Sequence, residues 1–317
     1  MFQIERTHRI QGEVLKQNCV VLSDGSELEY LTFPSLEQTG LVRHLITTRF
    51  GGVSQGDYAA MNLSFTRGDL EENVRENYRR IGSVLGCSLE NMTASQQTHT
   101  TNIRRVTVED RGKGVSRPLD YDQVDGLMTD EPGIALVTYY ADCVPLLFVD
   151  PVHRAIGSAH SGWRGTAERM GECMVRAMGE AFGTKPEELQ AAIGPSICQN
   201  CYEVSRDVAE SFLELETGTE ELRRELLQSG RYREGFCGGL PKIVEPGRQP
   251  DKYQLDLWLA NYLILRQAGI PLSSIAVTDI CTCHNRAYLF SHRASQGRRG
   301  NLAAFLILEQ RADAQES

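Results

Sequence analysis

Apolar positions recur along this chain in two rhythms. Val74, Tyr78, Ile81 and Leu85 fall three and four residues apart, lining one face of a helix that Gly86 would stop. Met170, Cys173, Met174, Ala177, Met178 and Ala181 repeat that spacing up to Gly183 and Pro186, and a third helix is expected from about Leu255 through Arg266, closed by Gly269 and Pro271. Elsewhere apolar residues come in short unbroken runs: Ile134 to Tyr139, Val144 to Val149 and Ala155 to Ala159. Such runs suit strands covered on both faces. The two that flank Cys143 are expected to be hairpin neighbours. Further strands are expected at Ile275 to Asp279, Tyr288 to Ser291 and Leu302 to Leu308. Before Thr47 the alternation is looser, as in Val20-Val21-Leu22 and Tyr30-Leu31-Thr32, and predicts a hairpin turning at Asp24-Gly25. Gly230 to Asp251, with Cys237-Gly238-Gly239 and three prolines, reads as a long surface loop.

Strands and helices interleave, but hairpin-like neighbours argue against a purely parallel, doubly wound sheet. The expectation is an α+β layered fold in one structural domain, with the hairpin region of residues 1–46 packed on a main unit of residues 47–317. A chain of 317 residues that is 41% hydrophobic has material for a substantial core. Its formal net charge of −9 argues against a broad nucleic-acid or anionic-membrane surface, though not against a local anion pocket. The N-terminus begins polar and no apolar run has bilayer-spanning length. Nine scattered cysteines suit reduced thiols better than a disulfide framework, which points to a cytoplasmic protein.

The candidate chemistry lies in three segments: Gln97-Thr98-His99, Ala141-Asp142-Cys143-Val144-Pro145 and His160-Ser161-Gly162-Trp163-Arg164-Gly165. They offer two imidazoles and a thiolate. Three dispersed ligands leave a zinc ion one open position, the arrangement of catalytic rather than structural sites. Cys143 and His160 are expected at opposite ends of a strand pair, with His160 before a glycine-bearing turn and a helix from near Thr166. That helix N-terminus would welcome an anion, gripped by Arg164 or by Arg49. Asp142 would orient His99 or His160 by accepting an imidazole N–H, or act as general base; the orienting role is the favoured one. Each residue has a plainer reading. A histidine at a strand end is more often a hydrogen-bonded structural residue, Cys143 alone a buried small hydrophobe, Trp163 simple packing, Arg49 a surface ion pair. Cys198-x-x-Cys201 and Cys281-x-Cys283 suggest a structural zinc on four thiolates, but the second spacing is unusual for a zinc knuckle; His284 and His292 are candidates to join such clusters, with solvated or structural roles as their plainer reading.

Gln-x-His, Ala-Asp-Cys-x-Pro and His-x-Gly-Trp-Arg-Gly, in this order, resemble the family variously called laccase-domain polyphenol oxidase, purine nucleoside phosphorylase or peptidoglycan editing factor. Thr47-Thr48-Arg49 with Gly51-Gly52-Val53-Ser54, Met61-Asn62-Leu63, Asp125-Gly126-Leu127, Ile193-Gly194-Pro195, Cys201-Tyr202-Glu203-Val204, Asp279-x-Cys281-Thr282 and Phe290-Ser291-His292-Arg293 extend the match from about Thr47 to Leu308. The resemblance implies an α/β/β/α sandwich with mixed sheets and a duplicated β-α-β unit. It implies metal ligands His99, Cys143 and His160, and Asn62 among the substrate contacts. It accounts for Cys201 and Cys281 without metal. The activities it implies are phosphorolysis of adenosine, inosine and 5′-methylthioadenosine to free base and ribose 1-phosphate, with adenosine deamination in the same pocket. Its oxidase label would need copper, which a Cys/His₂ set binds, but oxygen reduction usually takes several coppers and ligands for one are found. Two other readings remain: a metal-free Cys143 hydrolase with His160 or His99, acting on amides or esters such as peptidoglycan precursors, and a non-enzymatic metal-bearing module, partner of cell-wall or division proteins. Where the family often has Gly-Arg-Met-Ala-Ala, this chain has Gly300-Asn301-Leu302-Ala303-Ala304, so Asn301 removes a cation for which Arg298 or Arg299 would have to compensate. The oligomeric state does not follow from the sequence.

Overall fold

A computed structural model describes residues 1–7, 14–230, 232 and 239–310. The long runs expected as buried strands form two mixed sheets. The first runs, edge to edge, Lys16–Val21, Glu27–Thr32, Val42–Thr47, Leu302–Leu308, Ala135–Tyr140 and Met92–Ala94. The second runs Ile275–Val277, Gln190–Ile193, Val144–Asp150, Ala155–Ser161, Gly126–Thr129 and Ile103–Arg105. A short parallel strand lies at one edge of the first sheet and at both edges of the second, and the remaining neighbours are antiparallel.

Alternate residues of one strand serve different layers, and this explains why the apolar runs show no alternation. Val144, Leu146 and Phe148 face a cluster with helices Met170–Phe182 and Leu257–Gln267, whereas Leu147 and Val149 face the other sheet. Ala303, Phe305 and Ile307 pack on helix Glu71–Leu85, whereas Leu302, Ala304, Leu306 and Leu308 face inward between the sheets. The result is helix, sheet, sheet, helix, a layered α+β sandwich with three apolar interlayers. All three expected helices form. Gly86 and Gly183 close the first two in left-handed conformation, and the Asp256 carboxylate caps the third by accepting from the N–H groups of Trp258 and Leu259. The N-terminal hairpin turns at Asp24-Gly25, with the Asp24 carboxylate accepting from Ser26 N–H at 3.0 Å.

Four expectations fail. The strands flanking Cys143 are not hairpin neighbours: Ala135–Tyr140 belongs to the first sheet and Val144–Asp150 to the second, so residues 141–143 carry the chain across the sandwich. The true hairpin pairs Val144–Asp150 with Ala155–Ser161, which puts Cys143 and His160 at the same end. Tyr288 to Ser291 is turn rather than strand, ending where Ser291 caps the short helix His292–Ser295. The expected loop Gly230 to Asp251 contains strand Val244–Pro246, which joins Lys252–Leu255 and Glu203–Ser205 in a third small sheet; Cys237 and Gly238 lie outside the described residues. Among the described residues no helix is long and apolar enough to cross a membrane.

Candidate active site

The crossover between the sheets places the thiol. Cys143 follows the strand Ala135–Tyr140 of one sheet and immediately precedes Val144, which pairs with Ser161 of the other. His160 is opposite Pro145 in the same ladder. His99 arrives from a loop after Met92–Ala94, and the Gln97 side chain fixes that loop: its Oε1 accepts from Tyr139 N–H at 2.6 Å while its Nε2 donates to Tyr139 O at 2.7 Å. The amide thus supplies a missing rung to the strand that leads to Cys143. His99 and His160 meet edge to face, ring centroids 4.9 Å apart, and one ligand atom from each of His99, Cys143 and His160 lies within 4.8 Å of the others.

Asp125 organises this cluster. It is fully buried, and its carboxylate accepts from the N–H groups of Thr98, His99 and Thr100 at 3.0 Å, from the Thr100 hydroxyl at 3.0 Å, and pairs with His160 Nδ1 at 2.8 Å. Three consecutive amides can converge on one carboxylate because His99 adopts a left-handed φ of 66°. Burial opposes the Asp125 charge, but the His160 hydrogen bond and the amides outweigh it and hold the carboxyl below its ordinary value. With Nδ1 engaged, Nε2 is the His160 nitrogen left for a metal. Burial would likewise raise the Cys143 thiol, yet the imidazoles of His160 and His99 bring it down to about 6. His160, which burial alone would keep neutral, is raised to about 9 by the Cys143 thiolate and Asp125. Gly162 leaves room for the cluster: a Cβ there would sit 3.0 Å from His99 Cδ2 and 3.1 Å from Cys143 Sγ. Soft thiolate beside two imidazoles suits a zinc-type ion, and three protein donors leave a coordination position for substrate or water.

The orienting aspartate is therefore Asp125 and not Asp142. Asp142, at φ 86°, accepts from the Thr282 hydroxyl at 2.6 Å and from Arg293 N–H at 2.7 Å, so both its oxygens are taken by the loops beyond Cys143. The Asn62 amide is taken up by protein partners. It is wholly buried, its Nδ2 donates to Ser64 O and Asp69 Oδ2, and its Oδ1 accepts from the N–H groups of Ser64 and Asn301. The two expected phosphate arginines are directed elsewhere. Arg49 donates to the carbonyls of Ala59 and Arg286 at 2.8 Å and stacks over Phe290. Arg164 is exposed and stacks over Trp163, because the helix after His160 begins at Trp163 and carries the guanidinium outward.

Beside the cluster opens a cavity of about 590 Å³, to which His99, Cys143 and His160 contribute wall. Its apolar lining includes Phe65, Val115, Leu119 and Tyr139, and its cations include Arg67, Arg75, Arg117 and Arg299. Arg75 is paired with Glu71 at 2.7 Å, and Arg117 donates to the carbonyls of Glu109 and Arg111. Arg299 is different. Its side chain is buried, its Nη1 donates to Gly300 O and to the Asn301 side chain, and its buried Nε has no partner among the described residues. Burial, then repulsion from Arg67, lower the guanidinium to about 10. Arg299 and Asn301 both line the cavity, whereas Arg298 does not. Sequence reasoning missed Arg67 and the stretch 114–119; Asp125 was visible as part of a matching motif, without a role.

Residues 43–309 match the family described as multi-copper polyphenol oxidoreductase laccase. The chain is 37% identical over 264 residues to purine nucleoside phosphorylase YlmD of Geobacillus stearothermophilus, covering 82% of this chain and 88% of that protein. The crystal structure of YlmD from the same organism superposes with a TM-score of 0.77 at 32% identity, covering 94% of this chain and all of that one. Adenosine deaminase RL5, from an unknown prokaryotic organism, is 29% identical over 84% of this chain and 93% of its own length.

Proposed function

The chain belongs to the multi-copper polyphenol oxidoreductase laccase family, and from that premise we propose that it is a zinc-dependent purine nucleoside phosphorylase that also deaminates adenosine. What supports the reading is the joining, in one cavity, of a three-donor metal cluster with a buried guanidinium whose Nε has no partner among the described residues. Neutral substrates give no reason to bury such a cation; an anion does. Phosphate held by Arg299 and Arg67 would lie beside the nucleoside, whose flat base suits the walls formed by Phe65, Tyr139 and Leu119. Phosphorolysis then breaks the bond between sugar C1′ and purine N9 and forms one from C1′ to a phosphate oxygen; the bonding pair leaves with the purine, which takes up a proton. Substrates are adenosine, inosine and 5′-methylthioadenosine.

His99, Cys143 and His160 would hold the zinc, which supplies Lewis acidity and lowers the pKa of a bound water, the requirement for attack at purine C6 in deamination. Asp125 keeps the His160 proton on Nδ1 and fixes the ring, while Gln97 keeps the His99 loop against the strand leading to Cys143. The paired Cys143 and His160 also favour a second reading, metal-free acyl hydrolysis with the thiolate as nucleophile. Chromatography of adenosine incubated with the protein, with and without phosphate and with and without a zinc chelator, separates the two. Adenine formed only with phosphate, or inosine without it, and both lost on chelation and in Cys143→Ala, is the expected result. No purine product from metal-loaded protein would defeat the nucleoside reading, and acyl hydrolysis that survives chelation would favour the other.

A further inference from the structure

We propose that Cys198, Cys201, Cys281 and His284 form a second metal centre, structural and of the zinc type, built from residues the cavity does not use. One ligand atom from each of these four lies within 4.8 Å of all the others. Four sulfur and nitrogen donors at that separation match a closed tetrahedral site, in which sulfurs ~2.3 Å from zinc stand roughly 3.8 Å from each other. The sequence pairing Cys281-x-Cys283 had an unsuitable spacing, and the structure replaces it: with His284 in the fourth place, both halves become two-residue knuckles, Cys198-x-x-Cys201 and Cys281-x-x-His284.

The backbone is already arranged as a knuckle. Cys201 N–H donates to Cys198 O at 3.0 Å, closing the first pair, and Asn285 N–H donates to Cys281 O at 3.1 Å, closing a turn over the second. Cys198 N–H points at Cys281 Sγ from 3.3 Å, a bond from one knuckle to the sulfur of the other that favours a thiolate there. Cys198 and Cys281 are buried, while Cys201 and His284 reach towards solvent, giving the site an entry. All described cysteines are free, so no disulfide claims these sulfurs.

The centre would act on the cavity through Asp142. The Cys198 loop donates Ile197 N–H to Asp142 O at 3.0 Å, and the Cys281 loop donates the Thr282 hydroxyl to the Asp142 carboxylate. A metal tying the two loops together therefore holds the residue that precedes Cys143.

The test is zinc analysis of full-length Cys143→Ala protein, purified under reducing conditions; that substitution disables the cavity cluster alone. The expected result is one zinc per chain, absent from the Cys143→Ala/His284→Ala double variant. Exchange with cobalt chloride should give near-ultraviolet thiolate-to-cobalt absorption and the strong visible bands of a tetrahedral ion. A Cys143→Ala protein that is folded by circular dichroism, holds no zinc and gives no such cobalt spectrum overturns the proposal. If Cys143→Ala does not fold, zinc-edge X-ray absorption on zinc-saturated wild-type protein decides: both centres filled average about two sulfurs per zinc, and the Cys143 site alone gives about one.

Discussion

Asp125→Asn would keep one oxygen among the donors around position 125 but turn the other into an NH₂ group facing an N–H. Since Asp125 gathers three amides, a hydroxyl and His160 Nδ1, that mismatch loosens the His99 turn and frees the His160 ring together. Loss of such a supporting hydrogen bond typically lowers metal affinity ~10- to 100-fold. Titration of zinc against a chelating dye should show a loss of that size, and an unaltered affinity would remove Asp125 from the role given to it. A second comparison separates the arginines. Arg299→Ala deletes a charge-assisted contact of roughly 1.5–3 kcal/mol, which corresponds to about 10- to 150-fold in the KM for phosphate. Arg164→Ala, which removes an exposed side chain stacked on Trp163, should leave that KM unchanged. The reverse ranking would place the anion at the Trp163 turn instead.

Among the elements, those that were legible in the sequence carry their own stop signals or a one-sided face. Helix Glu71–Leu85 has both, and the N-terminal hairpin has the turn signal Asp24-Gly25. The runs around Cys143 have neither, because strands buried on both faces lose the alternation that would tell which sheet owns them. Asp142 stands out in the sequence because it adjoins Cys143, but adjacency says nothing about contacts between neighbouring strands: His160 reaches Asp125, which precedes the paired strand Gly126–Thr129 of its own sheet, over 35 positions. Strand Val42–Thr47 contains a titration that sequence could not foresee. His44 is buried, stacks on Phe33, and accepts Phe33 N–H at Nε2 from 2.8 Å, so burial lowers its pKa from 6.5 to about 4. The unfolded chain takes up this proton below about 6.5 and the folded one refuses it down to about 4. The contribution is therefore fully present above pH 6.5 and is lost as pH falls from there towards 4, with an upper size of roughly 3 kcal/mol. Urea unfolding at pH 7 and pH 5 should show a smaller pH-dependent loss for His44→Gln than for the wild type. Equal losses would mean that His44 is not the group responsible.

At the scale of the whole molecule, the cavity cluster draws on both sheets. His99 follows an edge strand of the first, His160 ends a central strand of the second, and Cys143 lies on the chain passing between them. The interlayer around Leu136, Leu147, Ile156 and Leu306 already joins the sheets along their length. The cluster adds a clip at one end, and that end is where the cavity opens. A metal bound only when both sheets are in place must stabilise the fold by mass action, by about 2.7 kcal/mol at a free concentration one hundred times its dissociation constant. Zinc should therefore raise the urea midpoint of the wild-type protein more than that of Cys143→Ala, because any contribution from Cys198, Cys201, Cys281 and His284 is common to both. Zinc release, followed with a chelating dye, should track the main unfolding transition. Release well before unfolding, with equal midpoint shifts in the two proteins, would show that one sheet holds the metal alone and that the clip across the sandwich does not exist.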